Sequence, residues 1–211
     1  MELLGNKGAL RQLLEGTGHS TPGMTLNGSL EKKIEQLSEF KKQYPDMVLK
    51  SAVGEGGQGT IIVKAHQTKE NAISALNEII FYEGSRGREV PGEGLTVEKC
   101  IRKPKHYELQ VRINNGNPEY LDERECTEQR GGRKTIQTSS DKIKPDKAKE
   151  ILDTIWSKVK NACPEEAREA NGVFTIEILI GDDGQLNLNE INVRIQQEHG
   201  VTGLRLGDYN L

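Results

Sequence analysis

The sequence predicts an α+β fold, and three observations carry that prediction. Apolar residues recur at helical spacing in several separate stretches, β-branched runs lie between them, and the strand candidates of the second half are mostly chain neighbours joined by turn residues. At 211 residues the chain suits one domain of ordinary size, or two small ones sharing a core. It contains no internal repeat and no linker long enough to separate independent domains.

Residues 6–15 read as a helix with Leu10, Leu13 and Leu14 on one side, stopped by Gly16 and Gly18. Leu30, Ile34, Leu37 and Phe40 give residues 30–43 a helical stripe. Pro45 separates it from a short apolar strand, Met47–Ala52. A glycine cluster follows at 54–59, then a β-branched strand over 60–65. Ala72, Ile73, Leu76, Ile79 and Ile80 mark the next helix, and 83–94 reads as a loop. Residues 95–101, 106–113 and 119–126 are strand candidates, with Asn114–Asn117 as the turn between the last two. Residues 128–141 are too polar to assign. Pro145 suits a helix start, and Ile151, Leu152, Ile155 and Val159 form that helix's apolar face. Two strands close the pattern, 173–181 and 185–194.

Composition excludes several classes. Lys and Arg total 29 against 32 Asp and Glu, a net charge of −3, so binding nucleic acid by bulk charge is not expected. A small anion held by a few cations remains compatible. No apolar run approaches the ~18 residues of a membrane span, and the first residues lack the pattern of a signal peptide. Cys100, Cys126 and Cys163 are far apart and odd in number, which argues against a disulfide framework or a structural zinc site. The expectation is a cytoplasmic chain with reduced thiols.

Gly54, Gly56 and Gly59 match G-x-G-x-x-G, with Gly57 between them. A dinucleotide fold requires a helix directly after that loop, but Thr60-Ile61-Ile62-Val63 is strand-like. Two readings remain. One is a glycine-rich hairpin without a ligand; the other is a flap whose backbone N–H groups face phosphate oxygens. Lys50 precedes the loop and is either a solvated lysine or a further phosphate contact.

The last hairpin is the most informative stretch. If Asp183-Gly184 is a two-residue type I′ turn, Asp182 faces Gln185 and Glu177 faces Glu190. Alternation then puts Asn192 and Arg194 on the face of Glu190. Directly opposed like charges destabilise a sheet; at ~5 Å and an effective dielectric of ~20 the repulsion is about 3 kcal/mol. A divalent cation reverses that sign, and two carboxylates with an amide oxygen suit Mg²⁺ or Mn²⁺. The alternative is a solvated face on which Arg194 compensates the charge. The polar run 195–199 reads as a loop leaving the sheet, functional or merely exposed.

Several strings occur together in one order: Lys50 before the glycine loop, Val97-Glu98-Lys99, Lys105–Val111, Glu123–Arg130 and Asn189–His199. With them the chain resembles the ATP-grasp domain of biotin carboxylases from about Gly5 to Leu211, and the E-x-N-x-R-x-Q-x-E-H string is its most specific part. The resemblance implies antiparallel sheets with packed helices and a glycine-rich flap subdomain over a nucleotide cleft. It implies a helical lead-in over 1–25, a lid subdomain with the flap over 26–95, and a core with the metal and bicarbonate site over 96–211.

It also implies activation of bicarbonate by Mg-ATP to carboxyphosphate, followed by carboxylation of biotin that is borne on a carrier protein. By resemblance, Lys7, Lys50 and the loop glycines hold ATP phosphates. Glu98, Lys99 and Ile101 lie beside adenine, and His106 and Gln129 contact the nucleotide. Glu177, Glu190 and Asn192 belong to the metal site, in agreement with the hairpin argument. Lys134, Arg194 and Gln196 surround bicarbonate; Arg194 also stabilises the ureido oxygen of biotin, and Glu198 is the general base.

Val53 and Glu55 replace usual glycines, Gly132 a usual histidine, and Gln197 and Gly200 an apolar residue and a proline. The family's flanking domains are expected to be absent from these residues, which suits either a reduced protein or a split subunit whose carboxylase partners supply them. The alternative function is a reduced relative that binds nucleotide or serves as a scaffold in a carboxylase complex.

Overall fold

The computed structural model describes residues 7–52, 59–128, 135–139 and 143–192. The chain forms two compact units. Of the described residues, those within 7–15 and 20–101 form the first and those within 16–19 and 102–192 form the second.

The first unit is built on a four-stranded antiparallel sheet, β1 (Gly23–Thr25), β2 (Met47–Lys50), β3 (Thr60–Val63) and β4 (Thr96–Lys99), in the order β1-β4-β2-β3. Its helices are α1 (Lys7–Leu13), α2 (Leu30–Gln43) and α3 (Lys69–Ser85). Ser29 caps α2 through the Lys32 N–H, and Thr68 with Asn71 forms a reciprocal capping box on α3. The apolar stripe of α2 supplies Leu37 and Phe40, α3 supplies Ala72, Ala75, Leu76 and Ile79, and the strands supply Met47, Leu49, Val63 and Val97 to one core. α3 runs to Ser85, into the stretch expected as loop. The reason is Glu83, fully buried in the last turn and held by three hydrogen-bond donors and an ion pair with Arg88. The short edge strand β1 escaped the sequence reading because three residues carry no usable period.

The second unit is a five-stranded antiparallel sheet in the order β7-β6-β5-β8-β9. Its strands are β5 (Lys105–Asn114), β6 (Asn117–Glu128), β7 (Thr135–Ser139), β8 (Gly172–Ile180) and β9 (Leu186–Asn192). α4 (Pro145–Ala162) packs against β6, and the six-residue α5 (Pro164–Glu169) follows it. Tyr107, Leu109, Val111, Phe174, Ile176 and Ile178 are buried at alternating positions of β5 and β8. Trp156 of α4 donates its indole N–H to the Gly116 carbonyl at 2.8 Å. Gly116 has φ 72°, and a Cβ there would meet the Ala167 carbonyl oxygen at 2.6 Å, so conformation and space both require glycine.

Two β-bulges set the registers of this sheet. Asn115-Gly116 makes the two-residue turn of the β5–β6 hairpin, with positive φ at both residues. The register then shifts between Gln110 and Val111, because Gln110 faces Asp122 while Val111 faces Tyr120. The β8–β9 hairpin departs from the expected two-residue turn: Ile180 faces Leu186, which leaves 181–185 as the connection. Gly184 donates its N–H to the Gly181 carbonyl at 3.0 Å and has φ 72°. A shift at Glu177/Ile178 leaves Asn189 as the extra residue, and from there to Asn192 the register is the expected one.

Candidate active site

Residues 106, 108 and 110 of β5 alternate with the core positions and so share the opposite face of the sheet. Register extends that face across the strands. Arg124 of β6, Glu108 of β5, Glu177 of β8 and Glu190 of β9 form one continuous cross-strand row. His106 lies in the adjacent row, between Cys126 and Leu179. On the other side, Gln110, Thr175 and Asn192 continue the pattern.

The expected opposition of Glu177 and Glu190 is therefore present, with Asn192 beside them. Glu177 is the best-held member. Asn192 donates its amide N–H to one carboxylate oxygen at 2.8 Å, Asn189 donates to the other at 3.1 Å, and His106 Nε2 lies 3.5 Å from the latter. Burial pushes the Glu177 carboxyl up, but the hydrogen bond and charge of His106, with the two amides, outweigh it and hold the carboxyl below its ordinary value. The group is thus kept anionic on a face that already carries two other glutamates.

This donor set fits a hard divalent cation. Glu177 and Glu190 would supply carboxylate oxygens, and the Asn192 amide, whose nitrogen is turned to Glu177, keeps its oxygen available. Glu108, only 3% exposed, adds a third carboxylate to the row. The sequence reading missed Glu108, Arg124, Cys126 and Asn189. Alternation along 106–113 marks Glu108 as a partner of His106, but the bulges that select the other three leave no signal in the residue pattern.

In the first unit, Lys50 Nζ lies 2.7 Å from one oxygen of Glu98, and Arg11 lies 3.4 Å from the other. Diagonal cross-strand geometry brings this about, since β2 and β4 pair Val48 with Glu98 and Lys50 with Thr96. Lys50 is thereby positioned rather than solvated, with a side chain only 11% exposed. Lys99 is exposed and anchored through its backbone N–H to the Pro22 carbonyl at 2.7 Å. Ile101 is half-buried. Lys7 begins α1, its backbone N–H donating to the Ala52 carbonyl at 3.1 Å. Ser51 donates its backbone N–H to the Gly59 carbonyl at 2.7 Å, closing the base of the glycine segment. Gly54, Gly56, Gly57, Gln129, Lys134, Arg194, Gln196 and Glu198 lie outside the described residues.

Comparison with known proteins agrees with this architecture. Residues 10–207 match the family model for the carbamoyl-phosphate synthase L chain, ATP binding domain. The chain belongs to that family and has the ATP-grasp fold. Within it, the similarity is to the central domain of biotin carboxylases. The chain is 30% identical over 212 aligned residues to a biotin carboxylase of Nostoc sp., covering 98% of this chain and 44% of that protein. It is 31% identical to the 2-oxoglutarate carboxylase small subunit of Hydrogenobacter thermophilus, covering 98% of this chain and 42% of the relative. The biotin carboxylase domain of the Hydrogenobacter enzyme, solved with MgADP, ADP and bicarbonate, superposes with a TM-score of 0.72 at 26% identity, covering 95% of this chain and 42% of that one. The chain spans less than half the length of these relatives. Among the described residues, no helix is long and apolar enough to cross a membrane.

Proposed function

We propose that this chain binds Mg-ATP and uses it to activate bicarbonate as carboxyphosphate for the carboxylation of biotin. The observation that carries the reading is the cross-strand pair Glu177–Glu190 with Asn192 beside it. Like charges opposed across a ladder are costly unless something positive joins them. A bound Mg²⁺ would supply that charge and neutralise phosphate oxygens during transfer.

The remaining roles follow residue by residue. Glu98 fixes the Lys50 ammonium, which with Lys7 and the loop glycines holds phosphate oxygens. Glu98, Lys99 and Ile101 border the adenine, and His106 and Gln129 contact the nucleotide. Glu198 removes the bicarbonate proton so that its oxygen attacks the terminal phosphorus of ATP, with ADP leaving. Lys134 and Gln196 hold the bicarbonate. Arg194 stabilises negative charge on the ureido oxygen as the biotin nitrogen is carboxylated. Biotin on a carrier protein, and carboxylase subunits bearing the family's other domains, are the partners of this reading.

A second reading, nucleotide binding without turnover as part of a carboxylase complex, is favoured by Glu55 and Gly132 at positions where the family usually has glycine and histidine. At ~7 Å and a dielectric of ~20, a flap carboxylate opposes each phosphate charge by about 2 kcal/mol. Bicarbonate-dependent ATP hydrolysis, measured with and without free biotin, separates the two. Biotin-stimulated turnover in the wild type and its loss in Glu198→Gln support the first. Nucleotide binding without hydrolysis supports the second, and absence of Mg-ATP binding refutes both.

A further inference from the structure

A second constellation stands on the same sheet, and the proposed reaction uses only one of its members, His106. His106 and Cys126 are direct cross-strand partners, and Glu108 follows His106 by two residues on the same face. One ligand atom from each, an imidazole nitrogen, the thiol sulfur and a carboxylate oxygen, falls within 4.8 Å of the other two. Cys126 is 7% and Glu108 3% exposed, whereas the His106 side chain is 30% exposed and opens the group to solvent. The Cys126 thiol donates to Glu108, and burial together with that carboxylate pushes its acidity well below that of an ordinary thiol.

Chemistry separates this group from the glutamate pair. Sulfur and imidazole favour borderline and soft cations, while carboxylates and amides favour Mg²⁺. Three protein ligands of the Cys, His and carboxylate types, with one position left open, match four-coordinate zinc. A ligating imidazole also takes an outer partner for its second nitrogen, and the Glu177 carboxylate lies 3.5 Å from Nε2.

We propose that His106, Glu108 and Cys126 form a binding site for a thiophilic divalent cation, Zn²⁺ or Cd²⁺, distinct from the Glu177–Glu190 site. On binding, the Cys126 S–H bond breaks, its proton passes to the buffer and a sulfur–metal bond forms. Because His106 also approaches Glu177, occupancy of this site draws on a residue that the nucleotide reading needs. The site itself stands independently of that reading.

The test is titration of the reduced, metal-free full chain with Cd²⁺, followed by the ultraviolet sulfur-to-metal charge-transfer band, in the absence of nucleotide. The expected result is one saturable band that persists in Cys100→Ser/Cys163→Ser and disappears in Cys126→Ser. His106→Gln, which keeps the thiol, weakens Cd²⁺ binding by roughly tenfold or more, and a large excess of Mg²⁺ leaves the band in place. A band that survives Cys126→Ser, or that Mg²⁺ abolishes, overturns the proposal. So does a His106→Gln chain that binds Cd²⁺ as tightly as the wild type. Since no nucleotide is present, none of these outcomes depends on ATP binding.

Discussion

Glu190→Gln offers the sharpest view of how the glutamate row works, because it should move stability and cation binding in opposite directions. Glu190 faces Glu177 across the β8–β9 ladder, and Glu177 in turn faces Glu108. Taking ~5 Å and a dielectric of ~20, the direct pair repels by about 3 kcal/mol. Solvent and salt at the half-buried Glu190 reduce that to roughly 1–2 kcal/mol. The isosteric amide removes the charge without changing the shape. In EDTA the variant should therefore be more stable than the wild type, raising the melting temperature by roughly 2–8 °C for a chain of this size. Added Mg-nucleotide should reverse the ranking. At a hundred times the dissociation constant the wild type gains about 2.7 kcal/mol, while the variant, missing a ligand, gains much less. Differential scanning calorimetry with EDTA and with Mg-nucleotide measures both effects. A variant less stable than the wild type in EDTA, whose gain from Mg-nucleotide is undiminished, would refute the reasoning.

Three further outcomes are expected. Glu83→Gln should destabilise the chain by about 3–5 kcal/mol, the cost of breaking a buried ion pair, because Glu83 accepts from Ser51 Oγ at 2.6 Å and from the Ala52 and Gly92 N–H groups, and pairs with Arg88 at 2.7 Å; a loss under about 1 kcal/mol in urea unfolding would contradict this. The lowered pKa of Glu177 means that its stabilising contribution is present above the ordinary value of 4.5 and is lost as pH falls through the lower folded-state value, so stability measured across that interval should fall less steeply in Glu177→Gln than in the wild type. Cys126 should be alkylated by iodoacetamide at neutral pH far more slowly than the half-buried Cys100 and Cys163, which peptide mass spectrometry resolves; equal rates would show that the Cys126 thiol is neither shielded nor raised in pKa.

Most of the fold was legible because its elements carry the usual periods. The stripe of α2, the apolar face of α4, the apolar run at β2 and the β-branched runs at β3 and β8 read directly from the residue pattern. What spacing hides is a terminus held by burial rather than propensity, as at Glu83, and any strand as short as β1. The site shows the same division more sharply. The two-residue turn assigned to Asp183-Gly184 was wrong, since 181–185 make the connection, yet the extra residue at Asn189 restores the opposition of Glu177 and Glu190. In the β5–β6 hairpin the turn at Asn115-Gly116 is the one its residues favour, but carrying its register onward without the bulge would set Glu108 opposite Glu123 and His106 opposite Glu125.

The shift replaces those acidic neighbours with Arg124 and Cys126. That exchange has a physical consequence. It relieves one end of a row of glutamates with a guanidinium, and it sends Glu123 to the other face, where its carboxylate is fully buried and accepts the Ile143 N–H at 2.9 Å. A bulge costs ladder hydrogen bonds and a local bend. Here each of two bulges decides which charges meet on the site face, so the chemistry of this sheet depends on two inserted residues, Leu121 and Asn189, as much as on the side chains they bring together.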